Sequence, residues 1–159
     1  MKESEAKKLS LKLMEISKAA YLTTIDPEGF PHTRAMTNLR NRDQKPHLIS
    51  LFRDHQVDYL IIFSTNTSST KVRHAEKNPK VSVYYCHPEK WQGVMFGGEI
   101  EIVPDLELKQ AIWEDGMEKY YPNGYDDPDH TILRLHPRMA KGWDGQKFTT
   151  FKFKISGPQ

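Results

Sequence analysis

The stretch that says most about this chain is residues 63–71, which read Phe63-Ser64-Thr65-Asn66-Thr67-Ser68-Ser69-Thr70-Lys71. An apolar run ends here and a hydroxyl-rich turn follows. A short helix is predicted after the turn, ending before Asn78-Pro79 because the residue before a proline disfavours helix. The first backbone N–H groups of a helix lack partners inside it and lie at its positive end. Such a turn is therefore a candidate anion site.

Four hydroxyl groups and one cation in this stretch are the candidate anion ligands. They are Ser64, Thr65, Ser69, Thr70 and Lys71. The hydroxyls add hydrogen-bond donors, and Lys71 adds a full positive charge. The predicted helix offers only Val72 and Ala75 as apolar residues, so packing alone explains the segment poorly. The alternative is an ordinary helix N-cap with solvated polar side chains.

Outside this turn, the sequence has the apolar spacing of a helix at two places. Near the start of the chain, apolar residues recur at steps of three and four: Ala6, Leu9, Leu13, Ile16 and Ala20. This spacing predicts an amphipathic helix. A second helical spacing runs over 105–120, and a loop rich in Pro, Gly and Asp follows at 122–129.

Short runs typical of β-strands fill most of the remaining chain. Candidate strands are 21–25, 31–37, 47–52, 58–64, 80–86, 93–103, 131–135 and 147–155. The turn at 26–29 makes the first two a hairpin, and the polar residues 53–56 join the next pair. Gly97-Gly98 indicates a bend or a bulge. With six or seven of these runs as strands, a small antiparallel barrel is expected, although periodicity alone does not separate a barrel from a sandwich.

Composition restricts the classes of function. The 159 residues suit one domain, 1–159, and a net charge of +2 gives no global attraction to nucleic acid or membrane. A single cysteine, Cys86, excludes an intramolecular disulfide and a cysteine-rich zinc site, and the seven histidines show no metal-ligand spacing. No apolar run approaches the roughly 20 residues that a membrane helix needs. We expect a cytoplasmic protein without a resident metal.

Two further residues are candidates for binding an anionic, flat ligand. Arg34 lies in a predicted strand, and a guanidinium grips phosphate through two hydrogen bonds. The alternative is a solvent-facing or salt-bridged strand arginine. Trp143 offers a flat ring and one N–H donor, although a lone tryptophan is more often part of a core or an interface.

Taken together, these motifs resemble the pyridoxamine 5′-phosphate oxidase-like flavin-binding split barrels, in particular their general stress protein branch. The resemblance covers 21–37, 63–83, 93–103 and 133–145. It implies a mainly β fold with flanking helices, a split β-barrel of the FMN-binding type. It also implies a homodimer that holds flavin at the subunit interface.

The resemblance assigns roles to individual residues of this chain. The 64–71 turn and Arg34 bind the FMN phosphate. The strand backbone at Ala35, Met36 and Thr37 contacts the isoalloxazine ring. Trp143, in the stretch 137–145, approaches flavin held by the other subunit, and Gln92 falls near another flavin contact.

The chain also departs from the oxidases of the family. Thr70 stands where they carry an arginine, and Leu39 stands where they carry a lysine that meets substrate. Residues 146–150 replace their Arg-x-His segment. Oxidation of pyridoxamine 5′-phosphate itself is therefore not expected.

The expected function is FMN binding, with flavin-dependent oxidoreduction of an unidentified small molecule. Because a flavin brings its own chemistry, the sequence reveals neither substrate nor catalytic residues. One alternative is a non-catalytic flavin-binding or stress-response module. Another is a barrel that binds FAD, haem or a deazaflavin instead.

Overall fold

The computed structural model describes residues 1–153, which form three α-helices and eight strands. The helices are α1 (Glu3–Ile16), α2 (Thr70–Lys77) and α3 (Leu106–Ala111). The strands are β1 (Ala19–Ile25), β2 (Pro31–Thr37), β3 (Ile61–Asn66), β4 (Lys80–His87), β5 (Gln92–Val103), β6 (His130–Leu135), β7 (Met139–Asp144) and β8 (Lys147–Lys152). No helix among these residues is both long enough and apolar enough to cross a membrane.

The strands form one curled antiparallel sheet in the order β2-β1-β4-β5-β6-β3, and β7 and β8 extend it from β5. The two ends of this order, β2 and β3, approach each other without forming a ladder in the described chain. The barrel is thus open along one seam. The predicted split β-barrel with flanking helices is confirmed.

Two apolar clusters hold this fold together. The larger one fills the barrel, with Phe63, Tyr85 and Phe96 among its fully buried side chains. The smaller one lies on the other side of β3 and β6 and includes Phe52 and Ile132. Because both faces of β3 are buried, its first three residues are all apolar and do not alternate with polar ones.

α1 covers one end of the barrel, as its periodicity predicts, but it is shorter than expected. Ala6 and Leu13 are fully buried against the larger cluster. The helix ends at Ile16, which is 43% exposed, and Ala20 belongs to β1. Ser17 caps the helix by donating its backbone N–H to the Leu13 carbonyl.

The predicted strand at 47–52 is wrong, and so is its pairing with 58–64. The segment begins with a 3-10 helix at Pro46–Leu48 and continues through turns, while β3 starts at Ile61 and pairs with β6. Leu48 and Phe52 are buried, but Ser50 between them is exposed, so burial here does not follow the alternation of a half-buried strand. The buried Arg40 guanidinium donates to the carbonyls of Leu60 and His55. These two backbone carbonyls therefore have hydrogen-bond partners without a neighbouring strand.

The other differences concern the second half of the chain. The helix predicted over 105–120 is only α3, which ends at Ala111, and Gly116, with a φ of 96° outside the helical region, separates it from a 3-10 turn at Met117–Lys119. β7 was not predicted, and Lys141 and Gly142 explain this because neither favours a strand. β8 is described to Lys152, and the predicted residues 154 and 155 lie outside the described range.

Gly97-Gly98 marks the place where β5 changes neighbours. β5 pairs with β4 and β7 up to this point and with β6 from Ile100 onward. Its register with β4 runs without interruption from Gln92 to Glu99, so the glycines mark a bend and not a bulge in that pair.

Replacing Gly98 by Ala is expected to lower the free energy of unfolding by about 1–3 kcal/mol, the usual cost of overpacking. The added Cβ would lie 2.9 Å from Cδ1 of Leu135 and 3.2 Å from the backbone oxygen of His136. Gly97→Ala is the matched control, because its nearest contact is the flexible Met139 thioether, 3.0 Å away. Chemical denaturation measures both, and equal losses would contradict this account.

Candidate functional site

The turn between β3 and α2 presents unused hydrogen-bond donors. Ser69 precedes the helix without capping it, and its buried Oγ has no partner among residues 1–153. The backbone N–H groups of Thr70 and Lys71, the first of α2, donate to no acceptor in the described chain. A buried polar group normally has a partner, so the Ser69 hydroxyl is unusual, while the first N–H groups of α2 are open to an external acceptor as at any helix start.

Lys71 places its charge beside these donors. Its Nζ donates to Oγ1 of the buried Thr65 at 3.0 Å, which holds the ammonium over the turn. Burial, together with the positive charge of Arg34, lowers the pKa of Lys71. The Lys71 ammonium and the Arg34 guanidinium are therefore close enough to repel each other, and both are half-buried.

Arg34 reaches this place from β2, across the open seam of the barrel. Its Nη1 donates to the Leu22 carbonyl at 3.2 Å and to Thr24 Oγ1 at 2.8 Å. Burial lowers its pKa as well. Within residues 1–153, neither Arg34 nor Lys71 has a carboxylate at ion-pair distance. We call Arg34, Thr65, Ser69, Thr70 and Lys71 the anion site.

A hydrogen-bonded chain behind Arg34 fixes its orientation, and the sequence did not indicate it. Thr24 Oγ1 lies 2.9 Å from Nδ1 of the buried His74, and the ring of His32 packs edge-on against His74 at 4.9 Å. Since a guanidinium only donates, Thr24 accepts from Arg34 and gives its own proton to neutral His74. Burial, then the charges of His32 and Arg34, lower the pKa of His74, which agrees with this assignment. Nothing local to His74 signals this role.

Ala35, Met36 and Thr37 follow Arg34 along β2, an edge strand of the sheet. They pair with β1 on one side only, opposite Tyr21, Ala20 and Ala19. The other edge of β2 pairs with no strand among residues 1–153, so its backbone N–H and C=O groups are available there. This edge position is compatible with the expected backbone contact to a planar ligand.

Ser64 lies apart from the anion site. Successive residues of a strand face opposite sides, so Ser64 points away from Thr65. Its Oγ is 2.9 Å from Nε2 of His130, whose Nδ1 donates to the Tyr125 carbonyl. Of the four predicted hydroxyls, Thr65, Ser69 and Thr70 remain at the turn, and Thr70 Oγ1 accepts from Arg73.

Gln92 and Trp143 lie together, far from the anion site of the same chain. Gln92 donates to the Asp144 carboxylate, and Trp143 pairs with Gly93. β7, which carries Trp143, is four strands from β2 through β1, β4 and β5. At about 4.8 Å per strand, β2 and β7 are about 19 Å apart along the curled sheet.

One face of the sheet is not covered by any other part of residues 1–153, and we call it the outer sheet face. It carries Tyr21, Tyr84, Met95 and Trp143, since directly paired residues share a face. Tyr21 and Tyr84 are 38% and 37% exposed, and Tyr84 packs edge-on against Trp143 at 6.2 Å. Aromatic side chains in this number are typical of an interface.

Comparisons with known proteins agree with this geometry. A protein related to general stress protein 26 of B. subtilis, from Clostridium acetobutylicum, is 32% identical with a TM-score of 0.73, over 95% of this chain and 96% of that one. General stress protein 26 from Bacillus anthracis shares 16% identity at a TM-score of 0.67, over 91% and 98% of the two chains. A haem-binding protein from Mycobacterium smegmatis shares the fold at 13% identity and a TM-score of 0.64, over 96% of this chain and 59% of that one.

Comparison with curated protein sequences finds no match. The sequence model of the pyridoxamine 5′-phosphate oxidase family, in contrast, matches residues 8–144. These residues run from α1 through Trp143 and include the whole anion site. With the sequence match, the solved relatives and the split barrel in agreement, this chain belongs to the pyridoxamine 5′-phosphate oxidase family.

Proposed function

We propose that this protein binds FMN, with the phosphate in the anion site. The observation that carries the proposal is the pair of half-buried cations, Arg34 and Lys71, without an acidic partner in the described chain. A phosphate dianion balances two positive charges and offers several acceptor oxygens. The free N–H groups of Thr70 and Lys71 and the Ser69 hydroxyl suit those oxygens.

The flavin ring would lie along the open edge of β2, beside Ala35 to Thr37. Such a ring and Trp143 of the same chain would lie at strands four places apart in the sheet. We therefore propose that Trp143 of the partner subunit covers the ring in a homodimer. A two-fold dimer through the outer sheet face would make two equivalent sites from one patch.

The proposed activity is flavin-dependent oxidoreduction of a small molecule. When bound, FMN supplies the electron transfer, and the residues of this chain bind and orient it. Leu39, where the oxidases carry a substrate lysine, is buried in the smaller cluster and 7% exposed. This burial supports the expectation that pyridoxamine 5′-phosphate is not the substrate. The free thiol of Cys86 suits a reducing cytoplasm.

A haem-binding relative makes haem the alternative ligand. Haem iron needs an axial side chain such as histidine. The histidines nearest the anion site are engaged, His74 with Thr24 and His32 with Asp26 at 2.8 Å. Flavin, which needs no such ligand, fits these residues better.

Titration of flavin fluorescence with the purified protein tests the proposal. We expect FMN to bind with a micromolar or lower dissociation constant, about −8 kcal/mol. The absorption spectrum of the purified protein distinguishes flavin from haem and deazaflavin. Unchanged FMN fluorescence in the presence of folded protein, or a haem spectrum, would contradict the proposal. Bound flavin that is reducible but never turns over would favour a non-catalytic module.

A further inference from the structure

The loop before β6 forms several hydrogen bonds, through residues 128–129, to the turn that carries the anion site. The Asp129 carboxylate accepts from the Ser68 backbone N–H at 2.8 Å and from Asn66 Nδ2 at 2.7 Å. The Asp129 backbone carbonyl accepts from the Thr67 N–H at 2.7 Å. The Thr67 hydroxyl also donates to the Pro128 carbonyl at 3.1 Å. Three consecutive turn residues are thus held by one short segment.

A second carboxylate holds Asp129 in place. Asp127 is buried and accepts from the backbone N–H of Asp129 at 2.9 Å and from that of Asn123 at 3.0 Å. Hydrogen bonds from Asn66, then from Ser68, lower the pKa of Asp129 and keep it ionised. Hydrogen bonds within its own loop therefore fix the position of Asp129.

These hydrogen bonds to Asp129 occupy some backbone N–H donors of the turn and leave others free. The N–H groups of Thr67 and Ser68 are used by Asp129, and that of Ser69 is used by the Asn66 carbonyl at 3.1 Å. The next two N–H groups, the first of α2, are the free ones. Asp129 lies at no ion-pair distance from Lys71 or Arg34, and its negative charge by itself would disfavour a nearby anion.

We propose that Asp129 is a positioning residue of the anion site, which shapes the turn through hydrogen-bond geometry and not through charge. This inference rests on the proposed function, because it gives the turn a phosphate to bind. By fixing Asn66 to Ser68, Asp129 aims the Ser69 hydroxyl, the first N–H groups of α2 and Lys71 at one point.

Exchanging the two hydrogen-bonding partners tests this inference. Asp129→Ala is expected to weaken FMN binding by about tenfold while riboflavin binding changes little, because the turn loses the hydrogen bonds that hold its phosphate-binding donors in place. Asp129→Asn should retain FMN affinity, since the Asn66 amide can rotate and present its oxygen to the new amide. Asn66→Asp alone should weaken FMN binding by bringing two carboxylates together, and Asn66→Asp with Asp129→Asn should restore it.

The exposed Asp126 of the same loop gives the control, and Asp126→Ala should leave FMN affinity unchanged. Loss of FMN affinity in Asp129→Asn as large as in Asp129→Ala would overturn the inference, and so would failure of the exchange to restore binding. Lys71→Ala in the same series distinguishes failure of the proposed function from failure of the inference about Asp129. If it leaves FMN binding unchanged, the proposed function fails. If it weakens binding while Asp129→Ala and Asn66→Asp do not, only the role of Asp129 fails.

Discussion

Monomers with weak flavin binding are the expected result of placing a carboxylate on the outer sheet face by Tyr21→Asp. Tyr21 pairs with Tyr84 on that face and with Ala35 on the proposed ring-binding strand. A charge buried there by a second copy would have no partner and would oppose association. Because the ring would lose Trp143 of the partner subunit, FMN affinity should fall by about thirtyfold, as for an interface residue worth about 2 kcal/mol.

Light scattering and flavin titration on the same samples measure both effects. Tyr120→Asp is the matched control, because Tyr120 is 68% exposed and lies between α3 and β6, outside the sheet. It should leave both the mass and the FMN affinity unchanged. A wild-type protein that is monomeric and binds FMN at full affinity would contradict the proposed interface site.

Removal of either cation from the anion site should weaken FMN binding far more than riboflavin binding. Lys71→Ala and Arg34→Ala are each expected to raise the FMN dissociation constant by about tenfold or more, since a hydrogen bond to a charged group contributes about 1.5–3 kcal/mol. Riboflavin has the same ring without the phosphate, so its affinity should change little. Added salt should reduce the difference where the site is open to solvent.

Lys77→Ala is the control for this pair, because Lys77 is an exposed lysine in the last turn of the same helix. It should bind both ligands like the wild type. Equal losses for FMN and riboflavin, in variants that melt normally, would mean that the phosphate lies elsewhere. Little change for either ligand would favour an ordinary solvated helix cap.

Local sequence signals predicted the parts of the fold that local interactions determine. The β1–β2 hairpin is an example: Gly29 adopts a φ of 89°, and the Asp26 carboxylate accepts from the N–H groups of Glu28 and Phe30. All of these contacts lie within five residues. The 63–71 turn was predictable for the same reason, because hydroxyls, a lysine and a helix start are adjacent in the chain.

Interactions between distant segments account for what the sequence did not reveal. Arg40 is one such interaction: its guanidinium lies over the ring of Phe52 at 4.6 Å and donates to the carbonyls of His55 and Leu60, 15 and 20 residues away. Asp129 reaches the turn only because β3 pairs with β6, opposite Asn66 at His130. The separation of Ser64 from Thr65 follows from strand alternation, once β3 is known to continue to Asn66.

A crystal structure of the protein with bound FMN tests the central claim most directly. We expect the phosphate within hydrogen-bond distance of the Arg34 guanidinium, the Lys71 ammonium and the first N–H groups of α2. The ring should lie along β2 with Trp143 of the partner subunit beside it. A phosphate bound away from Arg34 and Lys71, or a flavin enclosed by a single chain, would contradict it.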